Sequence, residues 1–205
     1  MGKIIIFGAG GRAGRTAAEE AVRRGHQVTL VVRDPAKYPD LANTVAGDIT
    51  DGEAVARLVA GHDAVINAAV DLTPPYDPFF VAAARALVEA GAGRLVVVGL
   101  ASILENEDGE LLMDTPGYPQ EYRSFYLGHE AFMDVLRQAP AEVDWVVLSP
   151  SGDFDHTGAS TGAYRLAPGR ADSRVTYADF ARAVLDEIDT PTHHRTHLGV
   201  EESLG

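Results

Sequence analysis

The chain has 205 residues, a mass of 21.8 kDa and a formal charge of −13 at pH 7. Its 46% hydrophobic and 23% charged content belongs to a folded domain rather than a disordered chain. Cysteine is absent, which excludes disulfide frameworks, thiolate metal sites and thiol nucleophiles, and the acidic excess opposes nucleic acid and anionic membrane surfaces.

At this length a fold buries roughly 70% of the surface that the unfolded chain exposes, so one hydrophobic core suffices. No apolar run reaches the ~18 residues of a membrane span. The first apolar stretch ends at Gly8, too early for a signal peptide. The expectation is one cytoplasmic domain over residues 1–205, monomeric or homodimeric, with neither a membrane nor a nucleic-acid partner.

In chain order, residues 4–7 form a short continuous apolar run closed by Gly8. Ala13, Ala17, Ala18, Ala21 and Val22 then make a helical stripe that Gly25 stops. Residues 28–32 and 44–46 read as strands. Asp51 suits an N-cap for a helix over 53–60, ended by Gly61. A strand at 64–66, a helix at 79–90, a strand at 95–98, a helix at about 122–138 and a strand at 143–148 follow. A helix at 177–188 and a strand at 196–200 complete the chain. Continuous apolar strands alternating with helices predict an α/β fold, a doubly wound parallel sheet buried on both faces. Residues 100–120 and 149–174 break the rhythm. Both follow strands, so both fall at the carboxyl edge where ligands bind in open sheets, and they read as the walls of a substrate cleft.

Gly8, Gly10, Gly11 and Gly14 occupy the turn between the first strand and the first helix. Such a turn needs positive φ and no Cβ where a phosphate approaches, and the helix behind it offers free N–H groups and a positive dipole end. Arg12 and Ala13 open that helix. The strand–turn–helix setting makes a dinucleotide site of an otherwise weak motif. Arg33, at the end of the second strand, stands where an arginine suits a 2′-phosphate, and Arg12 is expected to reach the same corner. NADP(H) is therefore expected over NAD(H). Asp34 is either a ribose ligand or a turn residue before Pro35. Asp48 either meets the adenine amino group, with Ile49 on the ring, or starts the next turn. Asn67, Ala68 and Ala69 follow the fourth strand, where small side chains let a cofactor cross the strand ends.

These motifs, with Val31-Val32-Arg33-Asp34-Pro35, Gly47-Asp48-Ile49-Thr50, Gly61-His62-Asp63-Ala64-Val65, Leu148-Ser149-Pro150 and Thr161-Gly162-Ala163-Tyr164, resemble the atypical short-chain dehydrogenase/reductases of the NAD(P)H-binding, NmrA-like group. Within that group the chain is most similar to biliverdin-IXβ/flavin reductases and bacterial epimerase/dehydratase-like proteins. The resemblance implies a Rossmann-type sheet of order 3-2-1-4-5-6 with an extra strand, a small C-terminal extension on the substrate side, and NADPH on the glycine turn.

The chain departs from the Tyr-x-x-x-Lys pair of most short-chain dehydrogenases. Four residues after Tyr122 and Tyr126 stand Tyr126 and Glu130, and a glutamate disfavours a phenolate. What remains is hydride transfer to a flat conjugated acceptor (a flavin, quinone or tetrapyrrole). The alternatives are an NADP-binding sensor without turnover and an epimerase or dehydratase. Ser102 either hydrogen-bonds the acceptor or caps a turn. His129, on one helix face with Tyr122 and Tyr126, is either a surface residue or a proton donor with a pKa near ~6.5. Tyr118, Phe125 and Phe154 are candidate pocket walls. His193, His194 and His197 do not match a zinc spacing, so no metal is expected.

Overall fold

The computed structural model describes residues 1–91 and 93–203. Eight strands form one sheet in the order β3 (Thr44–Ala46), β2 (Gln27–Val32), β1 (Lys3–Phe7), β4 (Ala64–Asn67), β5 (Arg94–Val98), β6 (Asp144–Pro150), β10 (Thr196–Glu202) and β8 (Tyr164–Ala167). All neighbours run parallel except β8, which pairs antiparallel with β10 at the edge. The sequence-based reading is right about the Rossmann-type α/β class. It misses β8 and a two-stranded ribbon of β7 (Asp153–Asp155) and β9 (Arg174–Thr176).

Side-chain alternation explains why β1 reads as an unbroken apolar run. Ile5 and Phe7 enter one core and Ile4 and Ile6 the other, all nearly inaccessible to water. Helices α2 (Gly52–Val59), α3 (Asp77–Glu89) and α4 (Arg123–Arg137) cover the first face; α1 (Arg12–Arg23) and α5 (Tyr177–Asp189) cover the second. Small residues Ala17, Ala18 and Ala21 let α1 lie close to the sheet. Its C-terminal Arg24 is tied to α5 through Asp186 at 2.7 Å and Asp189 at 2.9 Å. No described helix is long and apolar enough to cross a membrane.

The two irregular segments are folded rather than open loops. Single helical turns at Ala101–Ile103 and Leu112–Asp114 bury Ile103, Leu112 and Met113, and Glu105 bridges Leu111. Residues 149–174 include the end of β6 and all of β7 and β8.

Arg94, at the start of β5, is buried and joins three elements. Its guanidinium meets Glu187 of α5 at 2.8 Å, Asp144 of β6 at 2.8 Å and the His193 carbonyl oxygen at 2.8 Å. Glu187 is itself 7% exposed. Arg94→Leu leaves a buried carboxylate without its cation, which should cost about 3–5 kcal/mol in urea melts, with a Glu187→Leu second change recovering part of the loss.

Candidate functional site: a cleft at the carboxyl edge of the sheet

The carboxyl ends of β1, β2, β3 and β4 enclose a cleft of about 500 Å³. Gly8, Gly10, Gly11, Arg33, Asp34, Asp48, Ile49, Ala68 and Ala69 line it. The four glycines have different tasks. Gly8 sits at φ +76°, and a Cβ there would overlap the Ala68 carbonyl; a Cβ on Gly14 would run into the Gly8 carbonyl oxygen. These two let β1, β4 and α1 approach closely. Gly10 makes room for the ring of Tyr38, whose other neighbour is the guanidinium of Arg15, 5.7 Å from the ring centre. At Gly11 a Cβ would meet nothing nearer than the Gly8 oxygen at 3.5 Å, so this glycine opens onto free space.

The backbone of the turn leaves donors to spare. Gly11 N–H donates to Gly8 O at 3.0 Å, and the first bond into the helix runs from Arg15 N–H to Gly11 O at 2.9 Å. The N–H groups of Arg12, Ala13 and Gly14 lack an acceptor among the described residues and point out of the helix end. Such free N–H groups at the positive end of a helix dipole favour a negative charge.

At the far end of the cleft, Asp34 accepts from Ala36 N–H at 3.1 Å and caps the turn Pro35–Lys37. Asp48 receives the amide of Thr50 at 2.9 Å and its hydroxyl at 2.7 Å, all through one oxygen. It therefore lines the cleft while also holding its own turn. Asn67 is buried and accepts from Ala69 N–H at 2.9 Å, which shapes the exit of β4. Arg33 is 69% exposed and lies 3.4 Å from Asp71. Tyr38, Lys37, Val70 and Phe79 also line the cleft; nothing in the sequence marks them, because only the folded turn brings them to Gly10 and Ala69.

Arg12 and Arg33 do not converge. Arg12 Nη1 is 2.9 Å from His156 Nδ1, and its guanidinium lies 6.0 Å from the Tyr177 ring centre. The spacing in sequence places Arg12 at the glycine turn but not the direction of its side chain, which the β7–β9 ribbon attracts. Phe154 stacks on Tyr177 with ring centres 4.2 Å apart and an interplanar angle of 7°. The ribbon is anchored by Asp179, which is inaccessible to water. It accepts from Ser160 Oγ at 2.6 Å, Thr176 Oγ1 at 2.8 Å, Thr161 N–H at 2.9 Å and Gly162 N–H at 3.0 Å. Tyr118 and Tyr126 form a second aromatic pair, ring centres 5.5 Å apart. Burial pushes the Tyr118 hydroxyl up to about 12, with Tyr126 and Asp153 adding to it. Burial likewise raises the Tyr177 hydroxyl, with Arg12 lowering it and Asp153 raising it.

The candidate catalytic side chains are more enclosed than the sequence suggests. Ser102 is fully buried and its Oγ finds no hydrogen-bond partner among the described residues, so an acceptor cannot reach it with the turn Ala101–Ile103 closed. Tyr126 is raised by burial first and then by Glu121 and Tyr122. His129 is half-buried on α4 rather than standing on its open face. Its ring lies 4.2 Å from that of Phe80 and 4.9 Å from that of Phe125. It faces a void of about 10 Å³ beside Asn67 and Gly99, too small for an organic ligand. Burial, with His197 nearby, lowers it to about 3. Phe125 belongs to this packing, against Tyr76 and Phe80. The three C-terminal histidines go separate ways: His193 to Glu187, His194 to Asp144, and His197 to Ser149 Oγ at 2.8 Å.

Burial lowers His197 to about 4, Arg137 contributing. Both histidines are thus neutral in the fold and protonate near ~6.5 once unfolded. Stability should be complete above that pH and fall as pH drops from about 6.5 towards 4, each histidine contributing a slope of as much as about 1.4 kcal/mol per pH unit. Urea midpoints measured across this range check it, and His129→Phe should flatten the curve.

The chain matches the NAD(P)H-binding family over residues 8–191. It is 36% identical to the uncharacterized protein YwnB of Bacillus subtilis, covering 97% of each chain. Among solved structures, the proposed NADH-flavin reductase of Streptococcus pneumoniae TIGR4 superposes with a TM-score of 0.88 and 31% identity, over 99% of this chain and 100% of that one. A proposed epimerase of Bacteroides thetaiotaomicron superposes with a TM-score of 0.83 and 29% identity, over 99% of this chain and 98% of that one. Fold, glycine turn and relatives agree: this chain belongs to the NAD(P)H-binding family of oxidoreductase-like proteins.

Proposed function

We propose that the protein is an NADPH-dependent reductase of a small, flat, conjugated acceptor such as a flavin, quinone or tetrapyrrole. The observation that carries this reading is the pairing of a glycine turn whose helix end offers free N–H groups with the absence of a lysine four residues after Tyr126, where Glu130 stands. The cleft fits a dinucleotide: three free N–H groups stand at one end, an arginine at the other, and Gly11 leaves open space between them. On this reading the amides of Arg12 and Ala13, next to Gly14, hold the pyrophosphate. Arg33 meets the 2′-phosphate, Asp48 and Ile49 hold the adenine, and Asn67, Ala68 and Ala69 leave room across the strand ends.

The coenzyme supplies the hydride. The protein supplies orientation, with Tyr118 and Tyr126 on one side of the acceptor and Phe154 and Tyr177 on the other. Tyr126 is held protonated, His129 is neutral and Glu130 stands where a lysine would be. The acceptor therefore takes its proton from solvent, as a flavin or quinone can. The proposed NADH-flavin reductase of Streptococcus pneumoniae supports this class of acceptor. The cytoplasm, where reduced pyridine coenzymes are made, is the compartment this chemistry asks for.

The same missing lysine favours a second reading, a sensor that binds NADP(H) without turnover. Mixing the protein with NADPH and a panel of flavin mononucleotide, a quinone and a linear tetrapyrrole separates the two. Coenzyme oxidation with at least one acceptor is expected; saturable binding with no oxidation across the panel overturns the reductase and supports the sensor. Arg33→Ala should weaken NADPH by about tenfold or more, the size of a lost charge-assisted hydrogen bond, and leave NADH nearly unchanged. An equal loss for both coenzymes would contradict the role given to Arg33.

A further inference from the structure

Arg33 does not wait in the cleft alone. Its Nη1 lies 3.4 Å from Oδ2 of Asp71, on the segment between β4 and α3 that borders the same cleft through Val70. The two partners are unequal. Arg33 is 69% exposed and free to swing, whereas Asp71 is 26% exposed and anchored. Its other oxygen accepts from Thr73 N–H at 2.9 Å. That bond, with the Thr73 hydroxyl and Arg33 adding to it, holds the carboxyl below the usual range, so Asp71 is charged at neutral pH. Asp34, across the mouth, is anchored on Ala36 N–H and lies 3.8 Å from Lys37 Nζ. The mouth therefore carries two cations already matched by two carboxylates.

We infer that Asp71 is a specificity-determining residue for the coenzyme: it is the counter-ion of Arg33, and it disfavours a ligand that brings a phosphate to that arginine. A ribose with a free 2′-hydroxyl adds no charge and leaves the Arg33–Asp71 pair in place. A 2′-phosphate brings about −1.5 to −2 charges at pH 7. It must take Arg33 from Asp71, which Thr73 N–H holds in place, and then remain beside the uncovered carboxylate. Arg33 confers recognition of the phosphate and Asp71 limits it, so the balance between the two coenzymes is set by the pair rather than by the arginine. This inference rests on the reading that Arg33 meets the 2′-phosphate.

The test is calorimetric titration of wild type and Asp71→Asn with NADPH and with NADH, neither of which needs the acceptor to be known. Asparagine keeps an oxygen for Thr73 N–H, and thermal melts of both proteins check that the fold is intact. Asp71→Ser, which also keeps a side-chain oxygen, serves as the second variant and should act in the same direction. The expected result is NADPH affinity raised by about three- to tenfold, the range for one carboxylate facing a doubly charged phosphate at a screened surface. NADH affinity should stay within about twofold, and the NADPH gain should shrink as salt is added. An unchanged ratio of the two affinities overturns the inference and leaves the site reading standing. A drop in NADPH affinity also overturns it, because Asp71 would then be positioning Arg33 for the phosphate. Wild-type protein that binds neither coenzyme overturns the site reading and this inference together.

Discussion

The structure depends on a backbone constraint at the exit of β1. Gly8 adopts a left-handed conformation against the Ala68 carbonyl, and Gly14 lies on the Gly8 oxygen. A side chain at Gly8 would push the exit of β4 away from β1, and one at Gly14 would push α1 away from the turn. Close packing at this corner aims the free N–H groups of Arg12, Ala13 and Gly14 outwards rather than into a neighbouring element. It also sets the distance between β1 and β4, whose ends form the two sides of the cleft. The same few atoms therefore fix the fold locally and leave these donors free.

Around that corner the molecule divides its charged and aromatic side chains. The end of the cleft at the exit of β2 carries charges that are mostly exposed and mutually compensated, namely Arg33 with Asp71 and Lys37 with Asp34. Exposed pairs of this kind add little stability and are open to exchange with a ligand. The β7–β9 ribbon beside it carries the Phe154–Tyr177 stack and is anchored by the buried carboxylate of Asp179. Arg12 links the two: its amide belongs to the turn and its guanidinium to His156 and Tyr177.

Much of this was legible in the sequence, for reasons that differ by residue. The strands β1, β2, β4, β5 and β6 read clearly because parallel strands buried on both faces must be apolar throughout. The glycine turn was legible because positive φ and close approach leave no alternative residue. β7 and β9, of three residues each, and the half-exposed β8 carry no such pattern; they exist because Arg174 to Thr176 and Gly199 to Glu202 offer them partners. Helical spacing put His129 on a face with Tyr126, but it gave no warning that Phe80 from α3 would cover the imidazole. Position along the chain located Arg12 and Arg33, whereas the direction of each guanidinium was decided by His156 and Asp71, more than thirty residues away in each case.

The central claim is that this turn holds the phosphates of a pyridine dinucleotide. Isothermal titration of the purified chain with NADPH and NADH tests it most directly, since heat and saturation require no knowledge of the acceptor. The account predicts one saturable site per chain. Absence of saturation with both would contradict it.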